Sequence, residues 1–290
     1  MAWRSEEIFG SSGSWRIHVR SAAAAATPLL LLHGFTGSGR DWTEVGAGLA
    51  DRPLIAPDLP GHGDTTVPPA SFDAVVDSLV SALDAMGTGS FDLAGYSMGG
   101  RLALALALAY PARVRRLILE SASPGLPTAA ERARRRAADA ELARLALRDG
   151  IAAFVDHWEQ VPVLATAERL SPERRAQQRT NRLRCHPAGL AASLERMGTG
   201  TQPWLGDRLA ELRLPVLLIA GERDPVFLDI DAPMVSRILD ARRAICAGAG
   251  HNVHLEKPDQ YVRYVRRFLD ARDPVGDVCA EHRGGEESAP

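Results

Sequence analysis

Cysteine is scarce in these 290 residues: Cys185, Cys246 and Cys279 are odd in number and far apart. That spacing excludes a C-x-x-C redox pair or a thiolate metal cluster and fits a reducing compartment, so a cytoplasmic location and no metal are expected. Lysine is scarcer still, with Lys257 alone, so nearly all of the 34 basic residues are arginine, the side chain suited to bidentate capture of carboxylates. No charge of one sign dominates; a formal net charge of −2 gives no general attraction to nucleic acid or anionic membrane. No apolar run approaches the ~20 residues that span a bilayer, and no basic segment leads into an apolar run with a cleavage site, so membrane insertion and secretion are not expected. The glycine-rich run His33–Gly39 lacks the Gly-Lys-Ser/Thr ending of a phosphate loop. The sequence carries no internal repeat and no signal of a subunit number.

What is present is a chain with 46% hydrophobic residues, enough for a full core, in an alternating pattern. Trp15, Ile17 and Val19 alternate with polar neighbours and predict a half-buried strand, with His18 on its solvated face. The alanine-rich Ser21–Thr27 is read as a hairpin loop. Pro28–Leu32 reads as a strand buried on both faces, Asp41–Ala50 as a helix and Pro53–Pro57 as a strand. Ser71–Met86 follows as a helix with Ser71 as N-cap. Phe91–Ala94 and Val114–Glu120 are strands around a Leu/Ala helix, Leu102–Ala109. From Pro124 to about Pro203 strand signals vanish and arginine-rich helices take over: Thr128–Arg148, Ile151–Gln160, Pro172–Arg184 and Ala188–Met197. Strands resume at Pro215–Ala220 and Arg243–Ala247, and a helix spans Pro258–Leu269. This order predicts an α/β protein with a mostly parallel central sheet flanked by helices and a helical cap inserted between its strands. The expected divisions are a core from 1–123, a cap from 124–203, the rest of the core from 204–271 and a disordered tail over 272–290.

Between the strand at Phe91 and the following helix lies Gly95-Tyr96-Ser97-Met98-Gly99, the spacing of a nucleophile elbow at a strand-to-helix turn. A serine hydroxyl is a weak base or nucleophile until an imidazole takes its proton, and the imidazole needs a carboxylate to fix its tautomer. Asp224, in the loop after Leu217–Gly221, and His251, framed by glycines after the strand at Arg243, supply both in the chain order of an α/β-hydrolase. Glu222 is the rival carboxylate and sits closer to its strand. His254 is the rival imidazole and leads into the final helix. The backbone N–H groups of Phe35 and Met98 are the expected oxyanion donors. His62, in the tight loop Asp58–Gly63, is read as structural. Arg101 stands one helical turn after Ser97, on the same face.

Taken together, His33–Trp42, Asp58–Gly63, Gly95–Arg101, Glu120–Leu126 and Gly221–Asp224 resemble the 2-succinyl-6-hydroxy-2,4-cyclohexadiene-1-carboxylate synthases of menaquinone biosynthesis, over roughly Leu29–Leu269 and including the cap. The resemblance implies the α/β-hydrolase fold and a cofactor-free lyase. Its substrate is a small polyanionic cyclohexene bearing a succinyl chain, a ring carboxylate and an enolpyruvyl ether, from which pyruvate is eliminated. It also implies that Tyr96, Arg101, Arg135 and Arg182 bind carboxylates and that Trp158 walls the pocket. Arg132, Arg134 and Arg136 crowd Arg135, and a one-residue slip would reassign it. Two other readings of the same residues stay open: a serine hydrolase of an ester, thioester or ring-cleavage C–C bond, and a non-catalytic receptor for a small acid.

Overall fold

The computed structural model describes residues 2–22, 26–161 and 170–271. Cys279, the stretch 272–290 and part of Ser21–Thr27 lie outside the described residues. Eight strands form one sheet: β1 (Arg4–Gly10), β2 (Gly13–Arg20), β3 (Leu29–Leu32), β4 (Leu54–Pro57), β5 (Phe91–Tyr96), β6 (Val114–Glu120), β7 (Val216–Gly221) and β8 (Ala241–Cys246), in spatial order β1-β2-β4-β3-β5-β6-β7-β8. The β1–β2 and β2–β4 pairs are antiparallel and every other pair is parallel.

Successive side chains of a strand point to opposite faces, and the run of four leucines in β3 shows what that does. Leu30 and Leu32 enter one core cluster with Val75, Val76, Leu79 and Leu83 of α2 (Phe72–Ala85) and with the buried leucines of α3 (Met98–Ala109). Leu29 and Leu31 enter a second cluster on the other face with Val45 of α1 (Thr43–Gly48) and Tyr261, Val265 and Phe268 of α9 (Pro258–Asp270). Helices thus cover both faces, as a buried parallel sheet requires.

Between β6 and β7 the chain runs through α4 (Ala129–Trp158), α5 (Pro172–Leu183) and α6 (Pro187–Met197). The two segments read separately as Thr128–Arg148 and Ile151–Gln160 are one helical stretch, kinked at Gly150, whose φ of 80° interrupts the helical backbone. Thr128 opens it with a capping box closed by Glu131. A small apolar cluster of its own, including Phe154, Val155, Leu190 and Leu194, packs α4 on α6.

The structure departs from the sequence reading in further places. Strand β1 is present and pairs with β2. The helix expected over Asp41–Ala50 begins as a 3-10 turn (Gly39–Trp42) before α1. Two helices not foreseen, α7 (Pro225–Arg237) and α8 (Val253–Glu256), follow Asp224 and His251. Finally, His18 is buried, not solvated: β2 is an interior strand, and the imidazole meets Asp58 at 3.1 Å and Ser5 at 2.9 Å.

Candidate active site

The loops after β3, β5, β6, β7 and β8 converge at the carboxyl edge of the parallel strands, where ligands bind in open α/β sheets. Ser97 lies between β5 and α3 with φ 50° and ψ −109°, a left-handed conformation that costs a serine of order 1–3 kcal/mol. Small neighbours make the turn feasible: a Cβ on Gly95 would come within 2.4 Å of the Gly99 carbonyl oxygen, and one on Gly99 within 2.2 Å of that of Leu32. Among the described residues Thr36 (φ 66°) and Ser121 (φ 46°) are the other non-glycine residues in this region of backbone space, and both line the same cavity as Ser97. Backbone strain is therefore concentrated at the ends of β3, β5 and β6.

Asp224 caps α7, its Oδ1 accepting from the Phe227 amide at 3.3 Å, while Oδ2 accepts from His251 Nδ1 at 2.7 Å. Both side chains are buried. With Nδ1–H held by the carboxylate, Nε2 is the free lone pair, and it lies 3.3 Å from Ser97 Oγ. Phe227 packs on the imidazole at 4.7 Å and Tyr96 at 5.4 Å. The Phe35 and Met98 residues line the cavity, and among the described residues neither amide has a protein acceptor. The Phe35 loop is braced by His33: its Nε2 accepts from the Leu59 amide at 2.9 Å, so Nδ1–H donates to the Gly34 carbonyl at 2.8 Å.

The cavity measures about 1240 Å³ and is lined by nine of the ten residues singled out from the sequence. The tenth, Asp224, stands behind His251. Arg101 is buried, and its Nη1 donates to the Met197 carbonyl at 3.1 Å and to Gln202 Oε1 at 3.0 Å. Burial, with Arg135 nearby, pulls its pKa down to about 9. Arg135 is the member of its crowded quartet that reaches the cavity; its Nε meets Asp139 at 2.8 Å. Arg132 and Arg136 instead bond backbone carbonyls at Leu126 and Gly200. Arg182 is buried and pairs with Glu159 at 3.0 Å. Trp158 stands edge-on to Phe35 at 5.1 Å. Burial and the carboxylate of Glu120 push the Tyr96 phenol well above its ordinary value, so it stays a hydrogen-bond donor.

The rivals fall elsewhere. Glu222 Oε2 accepts from the Gly248 amide at 2.8 Å and shapes the loop after β8. His254 is bound to Glu120, with Nδ1 2.8 Å from Oε2. His62 is buried and neutral, its pKa lowered to about 3 by burial and by His33, and it packs edge-on to Phe35. Sequence reasoning missed Gln202, Asp139 and Glu159. Asp139 was findable as an i,i+4 partner of Arg135, whereas Gln202 meets Arg101 across 101 positions and leaves no local signal. Among the described residues no group of three or more His, Cys, Asp or Glu side chains could hold a metal ion.

One buried group near the relay carries a stability consequence. Asp231 of α7 is buried with Oδ2 unpartnered, and burial raises its pKa from 3.8 to about 7 despite Arg243. Between those values the folded state holds a proton that the unfolded chain has lost, so stability falls as pH rises from about 4 to about 7, by an amount of order 4 kcal/mol. Asp231→Asn removes that slope: its melting temperature should exceed that of the wild type at pH 8 and converge on it towards pH 4. A gap independent of pH would refute the assignment.

The strained serine at a strand-to-helix turn, its imidazole and carboxylate partners and the parallel sheet beneath them define an α/β-hydrolase. In agreement, residues 27–258 match the family model of the alpha/beta hydrolase fold. A Bacillus subtilis (strain 168) protein provisionally named 2-succinyl-6-hydroxy-2,4-cyclohexadiene-1-carboxylate synthase is 43% identical over 249 residues, 84% of this chain and 91% of that one. The synthase of that name from Enterobacter sp. (strain 638) is 35% identical over 84% of this chain and 92% of its own length. The solved structure of MenH from S. aureus superposes with a TM-score of 0.84 at 33% identity, covering 88% of this chain and 97% of that one. The chain belongs to the 2-succinyl-6-hydroxy-2,4-cyclohexadiene-1-carboxylate synthase family.

Proposed function

We propose that the chain is a carbon-oxygen lyase of menaquinone biosynthesis. It eliminates pyruvate from 2-succinyl-5-enolpyruvyl-6-hydroxy-3-cyclohexene-1-carboxylate to give 2-succinyl-6-hydroxy-2,4-cyclohexadiene-1-carboxylate. The relay Asp224–His251–Ser97, opening onto an arginine-lined cavity, is the observation that carries this reading. The imidazole of His251 takes the Ser97 proton as Oγ removes a proton from the substrate ring. The C2–H electron pair forms a C2–C3 double bond, the existing C3–C4 double bond shifts to C4–C5 and the C5–O bond breaks. The enolpyruvate anion that leaves is protonated at carbon to pyruvate, which discharges the proton held on the relay. Negative charge that develops on the substrate as the proton leaves is met by the Phe35 and Met98 amides. Arg101, Arg135, Arg182 and the Tyr96 phenol hold the carboxylates, and Trp158 walls the ring. Each step is a proton transfer or a bond shift within the substrate, so no cofactor is called for.

Residues 124–203 serve as a cap closing over a core made of 1–123 and 204–271. No described helix is long and apolar enough to cross a membrane. Cys185 and Cys246 are buried free thiols, which supports the reducing cytoplasm as the place of action.

The test is direct. Purified protein given the enolpyruvyl substrate should release one pyruvate per diene chromophore formed; no pyruvate from folded protein rejects the reading. Efficient turnover of neutral aryl esters in its place would favour a hydrolase. In the same assay Arg101→Ala should lower kcat/KM by about 10–100-fold, the worth of a charged hydrogen bond in a dry site. Arg144→Ala, on an exposed helix pair with Glu141, should change nothing measurable. Equal losses would remove Arg101 from the site.

A further inference from the structure

The three cavity arginines singled out from the sequence are held in different ways. Arg135 rests on the carboxylate of Asp139 and Arg182 on that of Glu159. Arg101 makes its hydrogen bonds to neutral oxygens, those of the Met197 carbonyl and of Gln202, and the Asp139 carboxylate acts on it only through space. Gln202 itself is fully buried, and its Nε2 donates to the Ser123 carbonyl at 3.4 Å. Its two ends face opposite demands: the end against the guanidinium must accept, and the end against a carbonyl must donate. Among side chains of this shape only the uncharged amide does both. Gly125 passes close behind it, where an added Cβ would lie 3.3 Å from Nε2.

We infer that Gln202 is a specificity-determining positioning residue: it aims the Arg101 guanidinium at the cavity while leaving its positive charge unspent for a substrate carboxylate. A carboxylate in the same place would hold Arg101 equally well and compete with the substrate for it. Gln202 joins the loop after β6, through Ser123, to the arginine one turn after Ser97. The anion site and the reacting centre therefore share one rigid frame. This inference rests on the reading of Arg101 as a carboxylate binder given above.

Two variants separate charge from support. Gln202→Glu adds a negative charge beside Arg101; Gln202→Met keeps the bulk and removes the acceptor. With the enolpyruvyl substrate, Gln202→Glu should raise KM by about 10-fold or more, and Gln202→Met by a smaller factor of about 3, with kcat nearly unchanged in both. Succinate, a dicarboxylate whose binding by calorimetry needs no turnover, should weaken in the same order. A residue that merely supports the fold would instead lower melting temperature and kcat without ranking the two variants by charge. Wild-type KM in either folded variant, equal weakening by both, loss confined to kcat, or failure of both to fold would overturn the inference. So would a wild-type chain that does not bind succinate. If the wild type releases no pyruvate while succinate affinity still falls in the order given, the lyase reading fails and the role of Gln202 stands.

Discussion

Replacing Ser97 with alanine should lower kcat by about 10²–10⁴-fold, and replacing Ser97 and His251 together should lower it no further. The reason is geometric. Ser97 Oγ becomes basic only through His251 Nε2, 3.3 Å away, and His251 presents that lone pair only because Asp224 holds its Nδ1–H at 2.7 Å. Three groups joined in series by two hydrogen bonds form a unit, and losses from a unit do not add. KM should stay within a few-fold of the wild type in both variants, because the arginines proposed to hold the carboxylates are untouched. Steady-state kinetics with pyruvate detection checks all of this. Additive losses in the double variant would show that the two side chains work independently and would dismantle the relay. If Ser97 acts as a base, intact-mass measurement during turnover finds the enzyme unmodified, whereas an acylating serine would carry a covalent adduct.

The relay was legible in the sequence because each member stands next to a strong local signal. Gly95 and Gly99 flank Ser97, an apolar strand leads into Asp224, and glycines frame His251. The sheet was legible for the same reason: the four leucines of β3 admit no exposed face. What escaped was decided by partners distant in the chain. Strand β1, Arg-Ser-Glu-Glu-Ile-Phe-Gly, is mostly exposed and held as an edge by pairing with β2, so its composition carries little strand signal. Helix α7 contains Pro233 and two aspartates, which local propensity counts against a helix. Asp224 at its N-cap and Pro225 at its first position were the signs to read. His18 looked solvated by alternation, but the turn at Gly39 closes over its ring, where an added Cβ would come within 2.6 Å of Cδ2, and the carboxylate that satisfies it lies 40 residues on. In the site, Glu159 and Gln202 meet Arg182 and Arg101 only after folding, whereas Asp139 shares α4 with Arg135.

Beside the relay lies a second imidazole and carboxylate whose loss should be felt first as instability. Glu120, at the end of β6, is fully buried; its Oε1 accepts from the His254 amide at 3.0 Å and its Oε2 lies 2.8 Å from His254 Nδ1. The imidazole is stacked on Trp42 at 4.3 Å and meets the edge of Tyr96 at 4.9 Å. These contacts tie β6 to α8, and α8 begins two residues after His251. Glu120→Ala would strand two buried donors and open a hole among aromatic rings. Breaking one side of a buried pair costs about 3–5 kcal/mol, so urea unfolding should show a loss of that size. Glu120→Gln, which keeps an acceptor for the amide, should lose less. Activity of whatever remains folded should fall too, because the loop that carries His251 loses its anchor while Ser97 and Asp224 keep theirs. A Glu120→Ala protein as stable as the wild type would mean that the packing around Trp42 and Tyr261 holds α8 unaided. In that case the carboxylate would have no structural reason to occupy a site from which water is wholly excluded.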